Sequence, residues 1–260
     1  MLRVSLPDGS VKELPAGSSA ADLAAGIGAG LARAAVAAKV NGDLWDLNRP
    51  LPPDADVAIV TRGDDDPDAL YALRHSTAHV LATAVRDLFP GAGIGFGPPI
   101  ENGFYYDFEV PEPFTPEDLE KIEARMAEVV AEGYAFDRRE IDRAEAEDLF
   151  SDDPLKLERL AEIPEGETIS TYTDGPFTDL CRGPHVASTG EIRHFKLLSG
   201  AGAYWRGDET RQMLQRIYGT AFYDKKSLSA YLTQLEEAKK RDHRKLGQDL
   251  DLFSFHEEFG

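Results

Sequence analysis

Hydrophobic and polar positions alternate over short stretches at the start of the chain and recur at helical spacing further on. Leu2, Val4 and Leu6 alternate, Pro7-Asp8-Gly9-Ser10 reads as a hairpin turn, and Val11-Lys12-Glu13-Leu14 reads as the returning strand. Ser18 and Ser19 can cap a helix beginning Ala20-Ala21-Asp22-Leu23, whose end is blurred by Gly26, Gly28 and Gly30. The apolar run 35–40 meets Asn41-Gly42, a strong hairpin signal, followed by the short strand Leu44-Trp45-Asp46-Leu47 and a last strand over 57–60. Two strands, a helix and further strands in so short a length predict a β-grasp, ubiquitin-like module over residues 1–63. It pairs no nucleophile with a base, so a binding or spacing role is expected of it.

Asp64-Asp65-Asp66-Pro67-Asp68 reads as a linker and solvated helix cap, since acidic side chains suit a helix N-terminus. Leu73, Ala78, Val80, Leu81, Ala84, Val85 and Leu88 then follow helical spacing, and Pro90-Gly91 stops a helix set at about 69–88. Gly93, Gly95 and Gly97 look like a phosphate loop but lack its Lys-Ser/Thr and an ensuing helix. A pair of strands joined by Glu101-Asn102-Gly103 explains them better, with the aromatic residues 104–108 shared between core and pocket wall. Thr115-Pro116 opens a helix that Gly133 ends, with Leu119, Ile122, Met126 and Val129 as its core stripe. Arg138, Arg139 and Arg143 read as a solvated basic face. Two short helices divided near Pro154 are expected over 142–160, the second carrying Lys156. Strands are expected over 168–172, 177–181, 194–198 and 214–222. The stretch 200–208 reads as too rich in glycine for regular structure, and a long helix follows from Lys225 to about 246.

Composition narrows the class. The 260 residues are 42% hydrophobic and 29% charged, as in soluble globular proteins, and suffice for two cores. No apolar run approaches the ~20 residues of a membrane helix, and Met1-Leu2-Arg3-Val4 lacks a signal-peptide core, so no membrane partner and a cytoplasmic location are expected. A single cysteine excludes an internal disulfide and suits a reducing compartment. A net charge of -19 excludes indiscriminate binding to nucleic-acid phosphates, so any such contact is local. The last helix is where it could rest: seven Lys and Arg residues face Glu236, Glu237 and Asp242, although ordinary surface charge pairs explain the pattern equally well.

Two stretches carry the candidate chemistry. In Arg74-His75-Ser76-Thr77-Ala78-His79 the histidines are four apart and so share one helix face. In Asp179-Leu180-Cys181-Arg182-Gly183-Pro184-His185, Gly183 and Pro184 turn the chain after a strand end, with the residue before proline pushed towards an extended conformation, and the turn can bring Cys181 beside His185. Three readings compete. His75, His79, Cys181 and His185 fit a closed tetrahedral zinc site, which spacing alone favours; Cys181 could be a nucleophile activated by an imidazole; or the set could bind substrate and fix the shape of a pocket.

His75-Ser76-Thr77-Ala78-His79, Gly103-Phe104-Tyr105-Tyr106-Asp107, Asp179-Leu180-Cys181-Arg182-Gly183-Pro184-His185, Gly202-Ala203-Tyr204-Trp205-Arg206-Gly207-Asp208 and Gln215-Arg216-Ile217-Tyr218-Gly219-Thr220-Ala221 together resemble the N-terminal half of the bacterial threonyl-tRNA synthetases. The resemblance covers essentially the whole chain. It implies an α+β protein: a TGS β-grasp domain at 1–63, a larger α+β editing domain at 64–224 similar to one shared with alanyl-tRNA synthetases, and at 225–260 a linker helix and the start of a class II catalytic domain. That domain is otherwise absent, so an excised fragment unable to activate threonine is expected, with ATP and magnesium needed only by the missing part. The resemblance also argues against zinc, because threonyl editing domains work without the metal of their alanyl relatives.

It further implies a function. A pocket separates serine from threonine, one methyl apart, by only about 1 to 3 kcal/mol, so some serine reaches the threonine tRNA and a second sieve must remove it. The expected activity is hydrolysis of seryl-tRNA(Thr) by water, with the acceptor end of the tRNA and the remainder of the synthetase as partners. The resemblance places His75, His79, Lys156, Cys181 and His185 in the reacting centre and Tyr106 and Asp179 on the substrate. His75 or His185 would orient or deprotonate water, Lys156 supply positive charge, Asp179 bind the substrate ammonium and Tyr106 exclude the threonine methyl. The alternatives are a catalytically silent tRNA-docking or regulatory fragment and a zinc-dependent hydrolase.

Overall fold

The opening alternation folds as a five-stranded sheet around one helix. In the computed structural model, which describes residues 1–241, β1 (Leu2–Ser5) and β2 (Val11–Leu14) form a hairpin whose turn places Gly9 at φ 82°, a left-handed conformation that glycine adopts freely. Ser19 caps α1 (Ala20–Ile27) through a reciprocal box with Asp22. A short helix that the glycines had obscured, α2 (Ala29–Ala34), leads into β3 (Ala35–Val40), and Asn41-Gly42 turns the chain into β4 (Asp43–Asp46). With β5 (Ala55–Thr61) the sheet order is β2-β1-β5-β3-β4, β1 and β5 running parallel. This is the β-grasp arrangement.

Asp66 caps α3 (Pro67–Leu88), with Pro67 in its first turn. The neighbouring Asp64 is not a solvated charge. Its carboxylate accepts from the backbone N–H groups of Tyr223 and Asp224 at 2.7 and 3.1 Å, tying the entry of α3 to the end of the second unit. α3 is buried along most of its length because it lies against both a sheet and a helix. The sheet is β12-β13-β8-β6, formed by β6 (Gly93–Ile94), β8 (Gly103–Glu109), β12 (His194–Tyr204) and β13 (Met213–Phe222), with β7 (Pro99–Ile100) added to β8. The helix is α4 (Pro116–Glu132), which buries Ile122, Met126 and Val129 and ends at Gly133 in a left-handed cap.

A second, three-stranded sheet, β11-β10-β9, combines β9 (Phe136–Ile141), β10 (Ile169–Asp174) and β11 (Phe177–Leu180). Two short helices, α5 (Arg143–Leu149) and α6 (Pro154–Ala161), bridge β9 and β10. The last described helix, α7, covers Lys225–Lys240 and buries no residue; the expected continuation to 246 and the segment 249–253 lie outside the described residues. Among the described residues no helix is long and apolar enough to cross a membrane.

Four further expectations are corrected. Arg138 and Arg139, read only as part of a solvated basic face, lie in edge strand β9, whose full pairing with β10 outweighs a sequence with apolar residues only at its ends; Arg139 is exposed as expected, Arg138 half-buried. Arg143 is half-buried and donates to the carbonyls of Leu160 and Ile163, so it fastens the α5–α6 pair rather than facing water. The glycine-rich stretch after residue 199 continues β12 to Tyr204, because its backbone pairs with β13 beyond a register shift between Leu197 and Ser199. At residue 183 the chain takes φ 72° rather than an extended conformation, and the Gly183-Pro184 peptide is cis.

Candidate active site

Five elements converge on one cavity of about 240 Å³. His75 and His79 reach it from α3, Tyr106 from β8, Lys156 from α6, Asp179 from β11 and Cys181 from the turn that follows β11. α6 therefore borders the pocket and brings Lys156 to its wall. Glycine permits close packing at two points around the cavity. A Cβ at Gly97 would run into the Tyr105 carbonyl and the Tyr106 ring, and one at Gly183 into the Tyr172 hydroxyl.

The polar groups form two linked clusters. In the first, Lys156 and Asp179, 3% and 2% exposed, make an ion pair. The Tyr106 hydroxyl donates to Asp179 Oδ2 and accepts from Lys156 Nζ at 3.2 Å. Burial alone would raise the Asp179 carboxyl; Lys156, then His79, bring it below the ordinary carboxylate value. Tyr106 is pushed well above the usual phenol range by burial and by Asp179, so it stays a neutral donor. Its ring is stacked on Phe108, centroids 5.1 Å apart, which fixes the wall it forms.

In the second cluster Cys181 Sγ lies 3.3 Å from Nε2 of both His75 and His185. Ser76, one turn of α3 from Ala72, donates to that residue's carbonyl at 2.7 Å and accepts from Val186 N–H at 2.9 Å. With its proton so used, Ser76 Oγ meets His185 Nδ1 at 3.2 Å as acceptor, which leaves His185 Nε2 with a lone pair towards the thiol. His79 joins the clusters, its Nε2 3.8 Å from Asp179 and its Nδ1 4.0 Å from Asp174.

Burial sets the protonation states. It lowers His75 to about 3, His79 to about 4 and His185 well below the usual imidazole range, so all three are neutral at pH 7. His75 is half-buried and lines the cavity, its Nδ1 shut off from solvent and its Nε2 turned to the Cys181 thiol. Burial, then Asp179, pushes the Cys181 thiol up, leaving it protonated and a poor nucleophile. The four nitrogen and sulfur ligand atoms lie within 4.8 Å of one another, so the donor set fits a zinc ion, as well as it fits a hydrogen-bonded group of neutral rings and thiol.

Residues 2–61 match the TGS domain family, and residues 169–218 match the family described as the threonyl and alanyl tRNA synthetase second additional domain. The whole chain is 56% identical over 261 residues to a threonine–tRNA ligase of Pelobacter propionicus, of which it covers 41%. It is 57% identical over 261 residues to one of Geobacter sp. (strain M21), again covering 41%. Over its whole length the chain is similar to the N-terminal part of the threonine–tRNA ligases. A more distant relative, the threonine–tRNA ligase of Staphylococcus saprophyticus, is 53% identical over 253 residues, 97% of this chain and 39% of that protein. The chain thus spans about two fifths of the length of the curated relatives it matches.

The structure brings six of the seven expected site residues to the cavity wall and places His185 behind Cys181. There it lines a separate cavity at the boundary with the TGS unit. Sequence reasoning missed Ser76, Asp174 and Asp46. Ser76 carries a signal in hindsight, lying between the paired histidines on their own helix. Asp174 and Asp46 carry none, since their partners are 95 and 139 residues away in the chain.

Proposed function

We propose that the cavity hydrolyses the ester between serine and the acceptor end of tRNA(Thr), the proofreading step accompanying threonine–tRNA ligation. The observation that carries this reading is the Lys156, Asp179 and Tyr106 group set beside neutral imidazoles in one cavity. The similarity to threonine–tRNA ligases supplies the substrate class. The hydrolytic unit occupies 64–224, following the TGS unit at 1–63 and preceding, at 225–260, a linker helix and the start of the class II catalytic domain. The work is cytoplasmic and needs neither ATP nor magnesium.

A water held beside His75 attacks the ester carbonyl carbon. Lys156 offsets the charge that develops on the carbonyl oxygen, the bond to the ribose oxygen breaks, and that oxygen takes up the proton that the attacking water gives up. Serine and uncharged tRNA are the products. As a base of low pKa, His75 acts mainly by orienting the water. Asp179 shares its charge between Lys156 and the substrate ammonium. The Tyr106 wall, held by Phe108, Asp179 and Lys156, leaves no room for the extra methyl of threonine. Cys181, kept protonated by burial beside imidazoles that burial makes too weakly basic to take its proton, forms no acyl intermediate.

A zinc ion, when bound, would be held by His75, His79, Cys181 and His185, and four protein ligands leave it no open position, so it would support the shape of the site. Release of serine from seryl-tRNA by the purified chain tests the proposal. Absence of release would leave a docking fragment with a silent pocket.

A further inference from the structure

The residues that line the hydrolytic pocket all belong to the second unit, but the turn behind Cys181 is held by a residue of the first. Asp46, the last residue of β4 in the β-grasp unit, accepts from the backbone N–H of His185 through Oδ1 at 2.9 Å and from the Tyr172 hydroxyl through Oδ2 at 2.5 Å. Of the other polar contacts between the units, Lys39 pairs with Asp68 at 2.5 Å across the surface, and Arg62 with Glu191 and Arg49 with Glu140 reach 3.5 Å; each of the three involves a solvent-accessible side chain. The Asp46 pair is different because it ends on the turn that carries the cluster.

Successive amides of that turn are pinned from opposite sides. His185 N–H is held by Asp46 of the β-grasp unit and Val186 N–H by Ser76 of α3. The imidazole between them is stacked on Phe136, centroids 4.8 Å apart and planes at 11°, and meets the Tyr172 ring edge-on at 4.5 Å. Its Nε2 in turn faces the thiol that faces His75. A chain of direct contacts therefore runs from Asp46 through His185 and Cys181 to the histidine on the cavity wall. We propose that Asp46 is a positioning residue of the hydrolytic site, so that the β-grasp unit completes the pocket of the unit that follows it. The inference rests on the proofreading reading above.

Asp46→Ala removes both acceptors and frees the turn. Asp46→Asn keeps an acceptor for His185 N–H. In single-turnover deacylation of seryl-tRNA by the whole chain, Asp46→Ala is expected to lower the maximal rate roughly 10- to 100-fold with little change in the substrate concentration at half-maximum, the scale of a small misplacement of a reacting group. Asp46→Asn is expected to restore most of the rate. Tyr172→Phe, which deletes only the hydroxyl, is expected to give a smaller loss, and it keeps the test open should Asp46→Ala fail to fold. The His185 amide proton, read by NMR, should resonate downfield in the unmodified chain and in Asp46→Asn and move upfield in Asp46→Ala. An unmodified chain without deacylase activity would overturn the functional reading, while the amide shift would still report the contact. An active unmodified chain with Asp46→Ala equally fast, or with Asp46→Asn as impaired as Asp46→Ala, would overturn the positioning role.

Discussion

Replacing Lys156 by methionine keeps most of the apolar stem and removes the ammonium, leaving the Asp179 carboxylate 2% exposed beside Tyr106 without its ion partner. Breaking a buried pair in this way costs about 3–5 kcal/mol, because one charge stays desolvated and uncompensated. At about 2 °C per kcal/mol for a chain of this size, thermal unfolding should fall by about 6–10 °C at pH 7.5. The sign with pH is fixed by Asp179. In the unmodified chain its carboxyl is lowered, so its contribution is present above the unfolded value of about 3.9 and is lost as pH falls through the folded one. In Lys156→Met, burial dominates and the folded value rises, so the variant recovers stability as pH falls and the gap between the two proteins narrows from pH 8 to 5. Urea unfolding at several pH values, with Lys156→Met/Asp179→Asn as the closing corner of a double-mutant cycle, measures this. The double variant should regain about 2 kcal/mol or more. A single variant within about 1 kcal/mol of the parent at pH 7.5, with a gap independent of pH, would refute the buried pair.

His75→Ala should slow serine release by about 100-fold or more if it orients the attacking water, and an unchanged rate would remove that role. Gly97→Ala should destabilise by about 1–3 kcal/mol and distort the Tyr106 wall, seen as lower thermal stability together with weaker discrimination between seryl and threonyl esters. The buried histidines should make stability fall from pH 6.5 towards 4, by up to about 1.4 kcal/mol per pH unit for each, since the unfolded chain binds protons that the folded chain refuses. Asp174, raised by burial to about 7, offsets one of the three over the same range, and a flat unfolding profile there would contradict the assigned neutral states. Metal analysis should return well under one zinc per chain, with deacylation unchanged after chelation; stoichiometric zinc and loss on chelation would replace the hydrogen-bonded cluster with a metal centre.

The parts of the fold that could be read from sequence are those whose local signals agree with their tertiary setting. The β-grasp unit follows from strict alternation, the Ser19 cap and Asn41-Gly42, and α3 from an apolar stripe that is buried in fact. β9 could not be read, because its charged residues 137–140 occupy an edge and its structure comes from partners on β10. The extension of β12 was hidden for a related reason, glycine and alanine having low strand preference until a long neighbour supplies the hydrogen bonds. At the site, the spacing of His75 and His79 and the turn after β11 indicated one pocket wall each, and the family resemblance supplied Lys156, Tyr106 and Asp179. Neither could reveal that Lys156 and Asp179 neutralise each other, or that Asp46 from the other unit holds the turn, since both are contacts between distant parts of the chain.

Side-by-side deacylation of seryl-tRNA(Thr) and threonyl-tRNA(Thr) by the purified chain bears most directly on the whole account. If Tyr106 excludes the extra methyl, overpacking by one carbon costs about 1–3 kcal/mol, and serine should be released about 5- to 150-fold faster than threonine. Equal rates for the two esters, or no release of either, would contradict it.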